Sequence, residues 1–286
     1  DELTRFFGFH TYASRYYKPE EAWVPGFLPD LPEVREELAQ YYSSCHRCDE
    51  TLGEVLHALD ASGMTENTIV VFMSDNGMAF PFSKANCYLN STKTPFIVRW
   101  PGHIKENTWN REDYIAGVDF MPTILEALGI ETELPMDGRS YLSLLLGEKS
   151  EGWDTVYTQF NTTSRKDSYP MRCIQSQEYG YIFNAWADGE TFYRNESMSG
   201  LAYQAMKKAG EECDELAQRV RFFNYRCREE FYDFSRDPDA LHNLIDVPEY
   251  QNTIAVFRGR LGEYLRETSD PVWPAFRKET AQKESK

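Results

Sequence analysis

The sequence lacks an excess of positive charge and any long apolar run. Its 30 lysine and arginine residues are outnumbered by 46 aspartate and glutamate residues, which gives a formal net charge of -16 at pH 7. Such a field repels nucleic-acid backbones and anionic membranes, so we expect neither as a partner. No apolar run approaches the roughly 18 residues of a spanning helix, and the mean hydropathy is -0.60. We therefore expect a globular protein.

Cysteine and several short catalytic motifs are also scarce or missing. Six cysteines in 286 residues are too few for a disulfide scaffold, although an even number is compatible with one or two bridges. Cys45 and Cys48 form a C-x-x-C pair, but no second pair follows at zinc spacing, so we interpret them as small residues on a helix face. Because G-x-S-x-G, phosphate-loop and G-x-G-x-x-G motifs are absent, serine-hydrolase, P-loop and Rossmann functions are disfavoured.

The first half of the chain has the pattern of an α/β layer structure. Apolar residues spaced by three and four predict a long helix that begins at Pro32 and closes at Gly63. The apolar run 67–73 predicts a strand buried on both faces of a parallel sheet, and the run 95–100 predicts a second buried strand. A short helix is predicted over about 119–129. Helix, strand, strand and helix in this order predict an α/β fold.

Beyond about residue 150 the elements become shorter and more alternating. Short segments at 171–175, 179–184 and 230–234 predict antiparallel strands. Longer segments at about 200–221 and 250–267 predict helices. The alternation of Tyr179, Tyr181 and Phe183 is typical of a half-exposed strand. We therefore predict two units, an α/β part over residues 1–150 and a smaller α+β domain with an antiparallel sheet over residues 151–286.

The segment Ser74-Asp75-Asn76-Gly77 directly follows the first predicted strand. Ligands of open α/β sheets collect at the carboxyl ends of strands, and Gly77 permits a turn there. Carboxylate and amide oxygens suit calcium or magnesium, so Asp75 and Asn76 are candidate metal ligands. Asp-Asn-Gly is also an ordinary turn sequence, and from these residues alone the plain turn is favoured.

Two further residues could contact an anion. Lys84 lies in the loop GMAFPFSKANCY, where its charge could hold a sulfate or phosphate oxygen, although an isolated surface lysine is the ordinary alternative. His10 ends the apolar run 6–9 and could act as a general acid or as a donor to an anion. A histidine at the end of a strand is more often structural.

Taken in order, several stretches resemble the sulfatase family of the alkaline-phosphatase-like superfamily, and within it the N-sulfoglucosamine sulfohydrolases. They are VPGFLPDLPEVREELAQYYSSCHRCDETLGEVL, VVFMSDNGMAFPFSKANCY, TPFIVRWPG, VDFMPTILEALGI and MDGRS, followed by SYPMRCIQ, EEFYDFSRDPDALHNLIDVPEY and ETSDPVWPAF. The resemblance implies an alkaline-phosphatase-like α/β sandwich, incomplete at its N-terminal side, followed by the small α+β subdomain.

The resemblance also implies roles for individual residues. Asp75 and Asn76 would be two ligands of a divalent cation, usually calcium, and Lys84 would contact the sulfate group. The nucleophile of the family is a formylglycine, made from a cysteine in a C-x-[PS]-x-R motif that this sequence lacks. We expect the formylglycine, and an early pair of aspartates that completes the metal site, in a preceding half of the catalytic domain. His10 matches only the first of two histidines in relatives, and the second falls on Ala13.

The leading hypothesis is therefore a sulfatase that removes N-sulfate from glucosamine residues of heparan-type glycosaminoglycans. On its own, this chain would be inactive. The alternatives are an O-sulfatase or another hydrolase of the superfamily, and a non-catalytic glycan-binding remnant. We expect a sulfated saccharide as partner and a lysosomal, periplasmic or extracellular location, and we leave a homodimer open.

Overall fold

The computed structural model describes residues 12–284, and these residues contain eight α-helices and six strands. The helices are α1 Pro32–Ala61, α2 Leu89–Thr92, α3 Phe120–Ala127, α4 Leu142–Leu145, α5 Leu201–Ala209, α6 Asp214–Tyr225, α7 Gln251–Glu267 and α8 Trp273–Glu284. The strands are β1 Val70–Met73, β2 Phe96–Arg99, β3 Thr155–Thr162, β4 Ser168–Ser176, β5 Tyr179–Asn184 and β6 Glu229–Asp233. The part of the chain that is described contains no helix both long and apolar enough to cross a membrane.

The predicted long helix is confirmed as α1. It begins at Pro32, whose missing N–H is no loss in the first turn, and it ends just before Gly63, which has a φ of +73°. Val34 and Leu38 near its start are fully buried, whereas Val55 near its end is 59% exposed. The apolar residues of α1 therefore face the protein core only in the first half of the helix.

The strands β1 and β2 form a two-stranded sheet, and its direction differs from the prediction. They pair antiparallel, with Val70 opposite Arg99 and Met73 opposite Phe96. The expectation of a strand buried on both faces of a parallel sheet is thus wrong, since Met73 and Ile97 are exposed. A continuous apolar run signals that a strand can be buried, but it determines neither the direction of the partner strand nor what covers the sheet.

The second sheet has four antiparallel strands in the order β3-β4-β5-β6. One face, which includes Met171 and Ile182, packs against α1, α5 and α6. The other face, which includes Tyr181 and Phe183, packs against α7 and α8. The expectation that β5 is half-exposed is therefore wrong, because helices cover the sheet on both sides.

Two details of this region were not predicted. The single helix expected over 200–221 is two helices that reverse at Gly210, where a Cβ atom would lie 3.1 Å from Cα of Ala217. Glycine permits that close approach. The edge strand β3 and the last helix α8 were also missed, because few of their side chains are apolar.

The larger apolar cluster joins the two halves of the chain. Leu38, Phe82 and Tyr88 precede residue 150, and they pack in one cluster with Met171 and Tyr232. The division into residues 1–150 and 151–286 stays a prediction. What the packing establishes is that the connection between β1 and β2 rests on the four-stranded sheet.

Candidate active site

The candidate metal ligands lie on a bend at the carboxyl end of β1. The Asn76 N–H donates to Oδ1 of Asp75 at 2.9 Å, and the Ser74 hydroxyl donates to the Asn76 carbonyl oxygen at 3.0 Å. Asp75 is exposed and Asn76 is half-buried. The bend thus presents a carboxylate and a side-chain amide next to each other.

Gly77 closes this bend against the returning chain. Its N–H donates to the carbonyl oxygen of Ser91 at 2.9 Å. A Cβ atom at this position would lie 2.0 Å from the carbonyl oxygen of Asn90, which also accepts a bond from the Ser83 hydroxyl at 2.8 Å. Glycine is required here by the close approach of two backbone segments.

Residues 78–92, which we call the Lys84 loop, hold Lys84 in an unusual backbone setting. Phe82 and Ala85, on either side of it, have φ angles of +64° and +63°. Residues other than glycine rarely have positive φ angles, so contacts with the surrounding structure must stabilise this backbone conformation. The Lys84 carbonyl oxygen accepts a bond from Nδ2 of Asn86 at 2.9 Å. The Lys84 side chain itself is half-buried.

Two aromatic residues anchor the Lys84 loop in the core. The Phe82 ring is buried, and the Arg219 guanidinium lies over it at 3.6 Å from the ring centre. The Tyr88 hydroxyl donates to Oε2 of Glu230 at 2.5 Å. On the other side of Lys84, the Tyr193 hydroxyl donates to the carbonyl oxygen of Ala85.

Glu230 is the centre of a buried polar network on β6. Its side chain is fully buried, and it accepts bonds from the Tyr232 hydroxyl and from Nδ2 of Asn184, each at 2.6 Å. Arg226 lies 3.8 Å away as its counter-charge. Burial raises the pKa of Tyr88 well above its usual value, so the phenol remains a donor to the carboxylate.

Glu196 connects Lys84 to the turn between β3 and β4. Its Oε1 accepts a bond from the Ser164 N–H at 3.2 Å. Burial by itself would raise the pKa of this carboxyl, but the bond from Ser164 and the positive charge of Lys84 outweigh it and lower the pKa. Lys84 therefore lies within electrostatic reach of Glu196.

The structure places Asp75, Asn76 and Lys84 on the one connection between β1 and β2. His10 lies outside the described residues, and Ala13, where the resemblance places the second histidine, is buried. Within residues 12–284 there is no group of three or more histidine, cysteine, aspartate or glutamate side chains that could hold a metal ion. Among the described residues, the bend offers two adjacent side chains with oxygen atoms, which do not make a complete metal site.

Sequence reasoning missed the residues that hold the Lys84 loop in place. Tyr88 and Glu230 are 142 positions apart, and no motif spacing connects them. The aromatic content of the loop was the only available signal, because aromatic residues in a loop indicate that it packs on something.

Two family models match the chain. Residues 5–130 match the sulfatase model, and residues 78–197 match the model of the C-terminal region of N-sulphoglucosamine sulphohydrolase. The human N-sulphoglucosamine sulphohydrolase is 31% identical over 269 residues, which cover 89% of this chain and 53% of the relative. An ulvan-active sulfatase of Formosa agariphila is 27% identical over 251 residues, which cover 86% of this chain and 41% of the relative.

Solved structures share the fold. A 2-O glycosaminoglycan sulfatase superposes with a TM-score of 0.61 at 21% identity, covering 84% of this chain and 44% of that chain. The chain belongs to the sulfatase family, and the predicted alkaline-phosphatase-like α/β fold with a small antiparallel sheet is confirmed. Within the family, residues 78–197 match the C-terminal region of N-sulphoglucosamine sulphohydrolase. The chain spans about half the length of the curated relatives it matches.

Proposed function

We propose that this chain is part of a sulfatase that removes N-sulfate from glucosamine residues of heparan-type glycosaminoglycans. One observation carries the proposal: Asp75, Asn76 and Lys84 lie on a single connection, within the region that matches the sulfatase model. Lys84 also lies within the match to the N-sulphoglucosamine sulphohydrolase model. The proposed location is a lysosome, the periplasm or the extracellular space, and a homodimer is compatible with the proposal.

Asp75 and Asn76 would hold a divalent cation, with calcium as the candidate. Their donor chemistry fits, because the Asp75 carboxylate is exposed and hard cations bind carboxylate and amide oxygens. Calcium takes ~6–8 oxygens, so the remaining ligands would be substrate, water or residues other than those described. When bound, the cation would neutralise negative charge on the sulfate oxygens.

Lys84 would hold the sulfate group through its ammonium. A point charge in a half-buried position interacts more strongly with an anion than one in open water. Because the backbone of the Lys84 loop is held by Phe82 and Tyr88, the ammonium needs little rearrangement when charge develops on the sulfate. His10 is proposed as a further acid or anion contact.

The cysteines of the described chain do not fit the formylglycine nucleophile. None lies in a C-x-[PS]-x-R motif, and Cys87 and Cys173 are fully buried in the core. Burial raises the pKa of Cys87 to about 12, which is the opposite of an activated thiol. The proposal therefore assigns no nucleophile among these residues.

Lys84→Ala tests the proposed sulfate contact in the active enzyme that contains this chain. We expect kcat/KM toward an N-sulfated glucosamine disaccharide to fall by ~10²–10³, as after loss of one preorganised charge contact. Lys93→Ala is the matched control, because Lys93 is an exposed lysine on the same connection. An unchanged rate in Lys84→Ala would remove Lys84 from the mechanism.

Asp75→Ala tests the proposed metal site. We expect the activity to be abolished and the rise in Tm on adding calcium to be lost, while Asp49→Ala, at an exposed aspartate on α1, retains both. If calcium raises the Tm of wild type and Asp75→Ala equally, the metal assignment is wrong.

A second candidate function is O-sulfate hydrolysis, which the similarity to an endo-4-O-sulfatase of Bacteroides thetaiotaomicron, 32% identical over 123 residues, favours. Parallel assays on N-sulfated and O-sulfated disaccharides separate the two. Hydrolysis of O-sulfates alone would replace the N-sulfate proposal.

A further inference from the structure

The turn between β3 and β4 carries two cations beside the Lys84 loop. Thr163 donates its N–H to the Asp167 carbonyl oxygen at 3.0 Å, and Lys166 donates its N–H to the Thr163 carbonyl oxygen at 2.9 Å. This tight turn leaves Arg165 and Lys166 exposed. We call residues 163–167 the hairpin tip.

The hairpin tip is attached to the segment that also contacts the Lys84 loop. Ser164 in the tip donates to Glu196, and Tyr193, three residues earlier, donates to the carbonyl oxygen of Ala85. Arg194 lies between these two attachments and has an exposed side chain. The tip and Lys84 are therefore neighbours across one short segment.

Positive charge is in excess at this place although the whole chain is acidic. The three attached segments carry four cations, and within the described residues none of them lies within 4.0 Å of a carboxylate oxygen: Lys84, Arg165, Lys166 and Arg194. Asp167 and Glu196 are the carboxylates on the same segments, and Glu196 already accepts the bond from Ser164. A local positive excess within a chain of net charge -16 attracts an anion to this place.

The junction below the tip also contains buried polar atoms without partners. Oγ1 of Thr163, Nδ2 of Asn195 and Oε2 of Glu196 accept or donate no hydrogen bond within the described structure. Thr163 is only 7% exposed. Native proteins leave few buried polar atoms unpaired, so the hydrogen bonding beneath the exposed tip is incomplete within the described residues.

We propose that the hairpin tip and Arg194 form a second anion-binding subsite, which takes a sulfate or carboxylate on the sugar next to the one held at Lys84. Arg165 and Lys166 are the specificity-determining residues. The inference rests on the proposed function for its substrate class. It goes further because it predicts that longer, polyanionic saccharides are preferred over monosaccharides.

The test compares two substrates in the active enzyme that contains this chain. In Arg165→Ala/Lys166→Ala, we expect KM for a heparin-derived tetrasaccharide to rise about tenfold, since each exposed charge contact contributes modestly. The KM for glucosamine N-sulfate and the kcat for both substrates should stay within about twofold. Lys207→Ala/Lys208→Ala, two exposed lysines on α5, is the matched control, and Arg165→Lys/Lys166→Arg should restore the low KM.

An unchanged tetrasaccharide KM in the alanine double variant would overturn the proposal. An equal rise for glucosamine N-sulfate would also overturn it, because the residues would then act on the sugar at Lys84 and not on its neighbour. A fall in the Tm of the alanine double variant as large as that of a core variant would show that the tip has a structural role. Arg165→Lys/Lys166→Arg would then not restore the low KM for the tetrasaccharide.

A binding measurement separates this proposal from the proposed function. Binding of the tetrasaccharide is measured by titration calorimetry between about 50 and 200 mM salt. The slope of the logarithm of the binding constant against the logarithm of the salt concentration reports how many counterions are released on binding. Enzyme that hydrolyses no sulfate but shows a smaller slope in the alanine double variant would support the subsite and contradict the proposed function. Enzyme that hydrolyses N-sulfate but shows the same slope in wild type and in the alanine double variant would support the proposed function and contradict the subsite.

Discussion

Tyr88→Phe removes one hydroxyl from the buried network that fixes the Lys84 loop. The hydroxyl donates to Oε2 of Glu230 at 2.5 Å, and Tyr232 donates to the same oxygen at 2.6 Å. A hydrogen bond to a charged group contributes ~1.5–3 kcal/mol. Because Glu230 keeps the bonds from Tyr232 and Asn184, we expect the free energy of unfolding to fall by about 1.5–2 kcal/mol. For a chain of this size, that corresponds to a Tm lowered by roughly 3–8 °C.

Glu230→Ala should cost more, because it removes the counter-charge of Arg226. Both side chains are almost completely inaccessible to solvent, and removal of one partner of a buried pair costs ~3–5 kcal/mol. The double variant Tyr88→Phe/Glu230→Ala should be less destabilised than the sum of the two single variants, because the lost bond is counted in each of them.

Urea unfolding followed by tryptophan fluorescence measures these free energies. Tyr16→Phe is the control, because Tyr16 is 62% exposed and its hydroxyl should contribute almost nothing. A loss below about 0.5 kcal/mol in Tyr88→Phe, or strict additivity in the double variant, would refute the reasoning. Hydrogen exchange of residues 80–88 provides a second measurement, since a loosened anchor should increase exchange there more than in β4.

Two further predictions concern the connection between β1 and β2. Gly77→Ala should cost ~1–3 kcal/mol, because its Cβ would lie 2.0 Å from the Asn90 carbonyl oxygen, whereas Gly53→Ala in α1, with nothing within 4 Å, should be neutral or stabilising by up to ~1 kcal/mol in thermal unfolding. Equal Tm values for the two variants would contradict the close approach at Gly77. Iodoacetamide at pH 8 should label the exposed Cys213 and spare Cys87, whose pKa burial raises to about 12. Mass spectrometry that finds both labelled before unfolding would show that the Lys84 loop opens.

The local part of the fold could be predicted from local signals. Pro32 and Gly63 bound the long helix because their backbone preferences act at their own positions. The bend at Asp75 could be placed after a strand for the same reason, since the turn preferences of Asp, Asn and Gly need no distant partner.

The rest depends on contacts between distant residues. The apolar content of residues 67–73 predicts a strand, but the antiparallel pairing with β2 depends on how the intervening chain folds back. Glu230 appears in the sequence as one of two adjacent glutamates, which would ordinarily be assigned to the surface. Only the structure shows that Tyr88, Tyr232 and Asn184 hold it in the core.

The bond between Tyr88 and Glu230 also has a consequence for synthesis of the chain. The two residues are 142 positions apart, so at ~5–20 residues per second a ribosome needs roughly 7–30 s to add the second after the first. Throughout that interval Tyr88 is without its partners Glu230 and Tyr232 on β6. Asp75, Asn76 and Lys84 are translated early, yet the loop can reach its final shape only after β6 has left the ribosome. A nascent chain stalled before residue 229 would carry all three candidate residues without the Glu230 carboxylate that binds Tyr88.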